Sequence, residues 1–139
     1  MTNQEIEKSG SESVARDFIA AMNTHDVEAL TRLLADDVTW TFLGDFEFSG
    51  THEGRNAVFA DFMGVAGALF EPPAQPPLEI RTVVAQNGTV AVEFTARMET
   101  KIGRDYENHY VMMLEVADGQ VQHVREYNDT LYLRKACYA

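Results

Sequence analysis

The chain has 139 residues, 22 acidic and 11 basic side chains, and a formal net charge of −11. That length suits one domain with a real core and gives no sign of two. The acidity disfavours nucleic acid, whose phosphates need clustered Lys and Arg, and an anionic membrane surface, and reads as a solubility feature. Cys137 is the only cysteine, so no intrachain disulfide can form. Met1 to Gly10 is polar and acidic and does not read as a signal peptide, and no apolar run reaches membrane-spanning length. A soluble, cytoplasmic protein is the expectation.

Residues 1–11 read as a disordered N-terminal tail, 12–133 as one domain, and 134–139 as a C-terminal tail. Ser9 with Glu12 suggests a capping box. Val14, Phe18 and Met22, with Ala15 and Ile19 beside them, make an apolar stripe of helical period. Asn23-Thr24-His25-Asp26 interrupts it. Asp26 is an N-cap for a second helix carrying Val27, Leu30, Leu33 and Leu34, which Asp36-Asp37 ends. Val38, Trp40 and Phe42 alternate with Thr39 and Thr41, a strand signature. Gly44 to Gly54 is a loop. A third helix follows with Val58, Phe59, Phe62 and Met63 on one face. All four prolines fall between Glu71 and Pro77, which must be a linker within the domain, placed near a pocket mouth.

Four strands come next. Leu78 to Ala85 ends at Asn87-Gly88, and Thr89 to Thr100 ends at Lys101 to Gly103. Arg104 to Val116 ends at Asp118-Gly119, and Val121 to Asn128 completes the set. Asn-Gly and Asp-Gly between alternating runs are strong hairpin signals. Helices followed by a consecutive antiparallel meander imply an α+β fold, and a meander that long must curl into a cone with an internal hollow. In the last hairpin one parity carries Asn108, Tyr110, Met112, Leu114 and Val116, and beyond the turn Val124, Glu126 and Asn128. An apolar hollow holding a few polar groups is how a small-molecule pocket is built.

Four stretches carry a family likeness: Phe18-Ile19-Ala20-Ala21-Met22-Asn23-Thr24-His25-Asp26, Leu33-Leu34-Ala35-Asp36-Asp37-Val38-Thr39-Trp40, Gly54-Arg55, and Arg125-Glu126-Tyr127-Asn128-Asp129. In order and spacing they resemble the nuclear transport factor 2-like superfamily, nearest its SnoaL-like and ketosteroid-isomerase-like branch, over roughly residues 12 to 133. The resemblance implies a cystatin-like cone with three N-terminal helices packed in a strongly curved antiparallel sheet. For function it implies an isomerase, a cyclase or an epoxide hydrolase using acid–base chemistry, or alternatively a non-catalytic ligand-binding or dimerisation module.

The ketosteroid isomerase residues do not carry over. That enzyme, a worked example of a tuned acid–base site, uses an Asp base with a Tyr and a protonated Asp as donors. The donor Tyr falls on Phe18, the base on Phe42, and the second Asp at or beside Met112. The limonene epoxide hydrolase pattern places its water-holding Tyr and Asn on Trp40 and Phe42, its Arg and Asp pair on Glu93 and Thr95, and its other Asp on Glu126.

By this resemblance Glu93, Thr95, Arg97, Asn108, Tyr110, Met112, Val124, Glu126 and Asn128 point inward, with Trp40 and Phe42 facing them. Glu126, Glu93 and Arg97 are the expected catalytic residues. Trp40, Phe42, Thr95, Asn108, Tyr110, Met112 and Asn128 are the expected substrate contacts. Glu126 is the expected proton-transfer group, because burial raises a carboxyl's pKa toward neutrality; its structural alternative is an ion pair with Arg97 or Arg125. His52, His109 and His123 lack metal spacing, so no metal and no cofactor is expected. With Glu93 inward, Val90, Val92, Phe94 and Ala96 would form an outer apolar stripe that a homodimer covers. The expected ligand is a small apolar molecule.

Overall fold

The structure is a computed structural model that describes residues 3–139, with side chains from Gly10 onward. Among the described residues six strands form one sheet: β1 (Leu34–Phe42), β2 (Gly50–Glu53), β3 (Leu78–Gln86), β4 (Thr89–Glu99), β5 (Asp105–Ala117) and β6 (Gln120–Asn128). Their spatial order is β2-β1-β6-β5-β4-β3. β3 to β6 are the expected antiparallel meander. β1 returns to lie parallel to β6, pairing Trp40 with Val124 and Phe42 with Glu126, and β2 closes the edge against β1. This is the expected curved α+β fold.

Both tight turns follow from their sequences. Asn87-Gly88 has φ of 51° and 82°, and Asp118-Gly119 has 56° and 73°. Two consecutive positive φ values define the primed turn whose twist matches the strands it joins. At Gly88 a side chain would also strike the Val116 carbonyl, at 3.0 Å from the Cβ position.

The helices cover one sheet face. α1 (Asn3–Asn23) crosses β3 to β6, sinking Ala15, Phe18 and Ile19 into a core with Val90, Val92, Phe94, Leu114 and Val124. Fully burying each large side chain contributes roughly 1.5–3 kcal/mol, so this layer is the main source of cohesion. α2 (Val27–Leu33) starts at Asp26 as expected, the Asp26 carboxylate accepting from the Ala29 N–H at 3.0 Å. α3 (Arg55–Ala57) runs through a π-helical stretch, Val58–Met63, into α4 (Gly64–Gly67). The wider π turn presents Phe62 and Met63 to the interior; such turns often accompany functional sites.

The ends of the chain differ from expectation. α1 covers Ser9 and Glu12, so no capping box starts there, and most of the supposed N-terminal tail is helix. Side chains at positions 1 to 9 lie outside the described residues. α2 stops at Leu33 and β1 begins at once, so Asp36 and Asp37 stand exposed on a strand. Residues 134–139 are not a free tail. α5 (Thr130–Cys137) is capped by Asp129, whose carboxylate accepts from the Tyr132 N–H at 3.0 Å, and it buries Leu133, Ala136 and Cys137. Arg104 secures it by donating to the carbonyls of Lys135 and Tyr138. Burial pushes the Cys137 thiol up to about 11, which leaves it a neutral packing group.

Candidate functional site

Strands β1, β4, β5 and β6 and the α3–α4 segment enclose a cavity of about 260 Å³. Phe42, Phe48, Phe62, Phe70, Phe94 and four methionines, Met22, Met63, Met98 and Met112, supply most of its wall. Pro77 and Leu78 line it too, so the proline segment ends beside the hollow, as the sequence suggested. Polar side chains on its lining are few: Glu126, the Trp40 indole, the Tyr110 hydroxyl and, at the α1–α2 turn, His25. A larger depression of about 500 Å³ lies at the other end of the strands, against Gly10, Ser11 and the two primed turns. Among the described residues its only ionisable lining side chain is Asp118, whereas the smaller cavity holds a buried acid.

That acid is Glu126, only 8 % exposed. Its Oε2 accepts from the Trp40 Nε1–H at 3.0 Å, and no cation pairs with it among the described residues. Burial pushes the carboxyl up to about 7, and the Trp40 hydrogen bond offsets this only in part. The ion-pair alternative therefore fails. Arg125 points to the outer face and pairs with Glu115 at 3.1 Å, while Arg97 bridges Glu79 and Glu107 at 2.7 and 3.0 Å on the surface.

Trp40 is held by Phe18 and Phe62, at ring separations of 5.8 and 4.9 Å, which fix the aim of its N–H. Phe42 touches Phe46, Phe48 and Phe62. Met112 pairs with Glu126 across β5 and β6. Tyr110 lies diagonal to Glu126 and stacks on Phe94 at 5.0 Å, 7° from parallel. Its hydroxyl is 2.5 Å from that of Tyr106.

Of the expected site residues, Glu126, Trp40, Phe42, Tyr110 and Met112 meet in the cavity. Glu93, Thr95 and Arg97 do not. On β4 the buried inner set is Val90, Val92, Phe94 and Ala96, so Glu93 and Arg97 face solvent. Glu93 accepts from the Thr82 hydroxyl at 2.9 Å, and Thr95, although buried, bonds to His109 on the outer face at 3.1 Å. A one-residue slip in a strand exchanges every side chain between faces. The plain apolar alternation of β4 had the right register, and the position-by-position resemblance misled it. The outer stripe proposed for a dimer is thus core.

Asn108 and Asn128 point inward but stand behind the cavity wall. Asn108 donates to Tyr106 at 2.9 Å, to the Asp129 carbonyl at 3.1 Å and to Asn128 at 3.5 Å. Tyr106 was missed by the sequence reading, although it shares the parity of Asn108 and Tyr110. No group of three or more His, Cys, Asp or Glu side chains is placed to hold a metal ion among the described residues.

Comparisons with known proteins agree with this architecture. A family model described as a SnoaL-like domain matches residues 15–124. An NTF2-like protein from Burkholderia xenovorans LB400 is 31 % identical, with a TM-score of 0.77, covering 94 % of this chain and 98 % of that one. A protein of cystatin-like fold from Xanthomonas campestris is 23 % identical, with a TM-score of 0.76, covering 93 % and 98 %. IdmH from Streptomyces antibioticus, a proposed polyketide cyclase, is 21 % identical, with a TM-score of 0.75, covering 91 % and 96 %. Among curated proteins none matches. Among the described residues no helix is long and apolar enough to cross a membrane. With its cavity, its curved sheet and a match across most of its length, the chain belongs to the SnoaL-like family of the nuclear transport factor 2-like superfamily.

Proposed function

We propose that this protein is a proton-transfer enzyme acting on a small, mostly apolar carbonyl compound, with Glu126 as the base. One observation carries the reading: an unpaired carboxyl buried in an aromatic hollow, its pKa raised to about 7. A base is most useful when its pKa lies near the working pH. The carboxylate takes a proton from the carbon beside the carbonyl. The C–H electron pair becomes the new C=C bond, and the carbonyl π pair moves onto oxygen. In a β,γ-unsaturated ketone the enolate is conjugated with the existing C=C, so the proton returns at the γ carbon while the oxygen pair restores the carbonyl, an isomerisation. In a molecule with a second carbonyl the enolate carbon attacks that carbonyl, a ring closure that returns the proton to the new alkoxide.

The cavity volume supports a ligand below drug size, since pockets for drug-sized ligands run to roughly 300–1,000 Å³. Glu126 is the only carboxyl group on the cavity lining among the described residues. That favours enolisation over epoxide opening, which in the hydrolase pattern uses two acids and an arginine. Of two fold neighbours, IdmH is a proposed polyketide cyclase and TerC was crystallised with polyporic acid, which lends the cyclase form of this reading some support.

The test is exchange of α-hydrogens for deuterium, followed by NMR on a panel of cyclic ketones and 1,3-diketones. The wild type should accelerate exchange of at least one compound, and Glu126→Gln should lose about two to four decades of that rate. Retention of the rate by a folded Glu126→Gln protein removes the base assignment. Saturable binding across the panel without exchange favours the non-catalytic reading, which the apolar residues at Phe18, Phe42 and Met112 support.

A further inference from the structure

The hydrogen bonds behind the cavity wall have a direction. The Asn108 side-chain oxygen accepts from the His109 backbone N–H at 2.9 Å. A backbone N–H can only donate, so this contact fixes which end of the amide is oxygen. The other end, the NH₂, faces the Asp129 carbonyl and the Tyr106 hydroxyl, and it can only donate. The Tyr106 oxygen is therefore an acceptor toward Asn108. Its own hydrogen has one destination among the described residues, the Tyr110 oxygen. Were Tyr110 to donate instead, the Tyr106 hydrogen would be stranded in the core, which is costly for a buried donor. The order Asn108 to Tyr106 to Tyr110 moves the free hydrogen from the core to Tyr110, which lines the cavity that holds Glu126. Among the described residues that O–H has no protein acceptor, so the cavity's occupant can take it.

We infer that Tyr110 is the oxygen-binding donor of the site, that Tyr106 and Asn108 are positioning residues that aim and polarise it, and that the ligand presents a carbonyl oxygen to Tyr110. The substrate class, an enolisable ketone, rests on the role proposed for Glu126; the direction of the relay does not. When a proton leaves the carbon beside the carbonyl, charge develops on the oxygen. A donor already turned toward that oxygen stabilises the enolate without reorganising. Each hydrogen bond in such a chain strengthens the next. The stacking of Tyr110 on Phe94 and the contact of Tyr106 with Phe70 at 4.8 Å hold both rings, so the hydroxyls cannot swing away cheaply.

The test uses 1-indanone and its deoxygenated counterpart indane, which differ by the carbonyl oxygen. Affinities come from titration calorimetry, and the bound carbonyl stretch from infrared difference spectra. The wild type should prefer indanone by about tenfold, the worth of one good hydrogen bond, with the stretch displaced to lower frequency. Tyr110→Phe should bind both compounds alike and return the stretch to its value in an apolar solvent. Tyr106→Phe, which keeps the ring and removes the hydroxyl, should lose about twofold to threefold of the preference and move the stretch part of the way back. These readouts require no proton transfer, so failure of the base assignment, which is read by deuterium exchange, and failure of the donor, which is read by binding, give different results. Absence of binding, equal binding of the two compounds by the wild type, or a preference that survives Tyr110→Phe overturns the donor. A wild-type stretch in folded Tyr106→Phe overturns the relay.

Discussion

Glu126 couples the stability of the fold to pH, and the sign follows from its burial. The carboxyl titrates near 4.5 when exposed and near 7 in the folded protein. Between those values the folded state holds a proton that the unfolded state has released. Stability is therefore greatest below the unfolded value and falls as pH rises through the folded one. A rise from 4.5 to about 7 corresponds to ~3 kcal/mol, at about 1.4 kcal/mol per unit. Against a total stability of roughly 5–15 kcal/mol this is large. For a chain of this size it shifts the melting midpoint on the order of 10 °C. The perturbation is Glu126→Gln, which keeps the shape and has no proton to lose. Urea unfolding of both proteins at half-unit steps from pH 5 to pH 8.5 gives the difference curve, in which the shared titrations of histidines and surface acids cancel. The wild type should lose stability relative to the variant as pH rises, with most of the change complete by pH 8. Parallel curves across the range would refute the burial argument, because they would mean that the carboxylate is as well solvated inside the hollow as outside.

Three other outcomes follow from the same contacts. Trp40→Phe removes the N–H that stabilises the carboxylate, so Glu126 should titrate higher still, and the rising limb of the exchange rate against pH should move to higher pH; a limb that moves down would contradict the assigned hydrogen bond. Glu93→Gln and Arg97→Gln should leave that rate within about twofold and cost under about 1 kcal/mol by urea unfolding, because both side chains lie in exposed networks. The outer sheet face sets Val84, Ala91 and Met113 in one cross-strand row and Val111 and Tyr127 in the next, with Val84 59 %, Val111 37 % and Tyr127 41 % exposed. Light scattering should give about twice 15.6 kDa, and Val111→Asp with Tyr127→Asp should bring it to the single-chain value.

The fold was legible where local signals were redundant. Asn87-Gly88 and Asp118-Gly119 fixed two hairpins, Asp26 fixed a cap, and the proline run fixed a loop, because each of these residue types has few backbone conformations open to it. The ends of the domain were less legible. Leu131, Leu133 and Ala136 form too short a run for periodicity to declare a helix, and what makes α5 is its docking: Asp129 caps it and Arg104, 31 residues from Lys135, holds its last turn. The pairing of β1 with β6 likewise depends on contacts more than 80 residues apart, such as Trp40 with Val124, which no local pattern encodes.

The site shows the same division. Glu126 stood out because it matches an acid of the hydrolase pattern and lies on an otherwise apolar parity, where a carboxylate is costly to bury. Glu93 and Arg97 were misplaced because a family pattern was preferred to the apolar stripe of their own strand. Tyr106 was overlooked because a tyrosine on an inner parity reads as packing, and nothing in a sequence tells which hydroxyl has a neighbour to spend its hydrogen on. Phe18 and Phe42 fill the positions where the isomerase branch keeps its donor and its base. In this chain the polar lining groups include Tyr110 on β5 and Glu126 on β6, and the aromatic residues pack around Trp40. Phe18 and Phe62 flank Trp40, whose N–H lowers the Glu126 pKa against the larger effect of burial. Without that hydrogen bond burial acts alone and the carboxyl titrates higher, while further donors would bring it down and weaken it as a base. A single indole N–H in an apolar wall is the counterweight to burial here, so position 40 contributes a ring N–H as well as bulk.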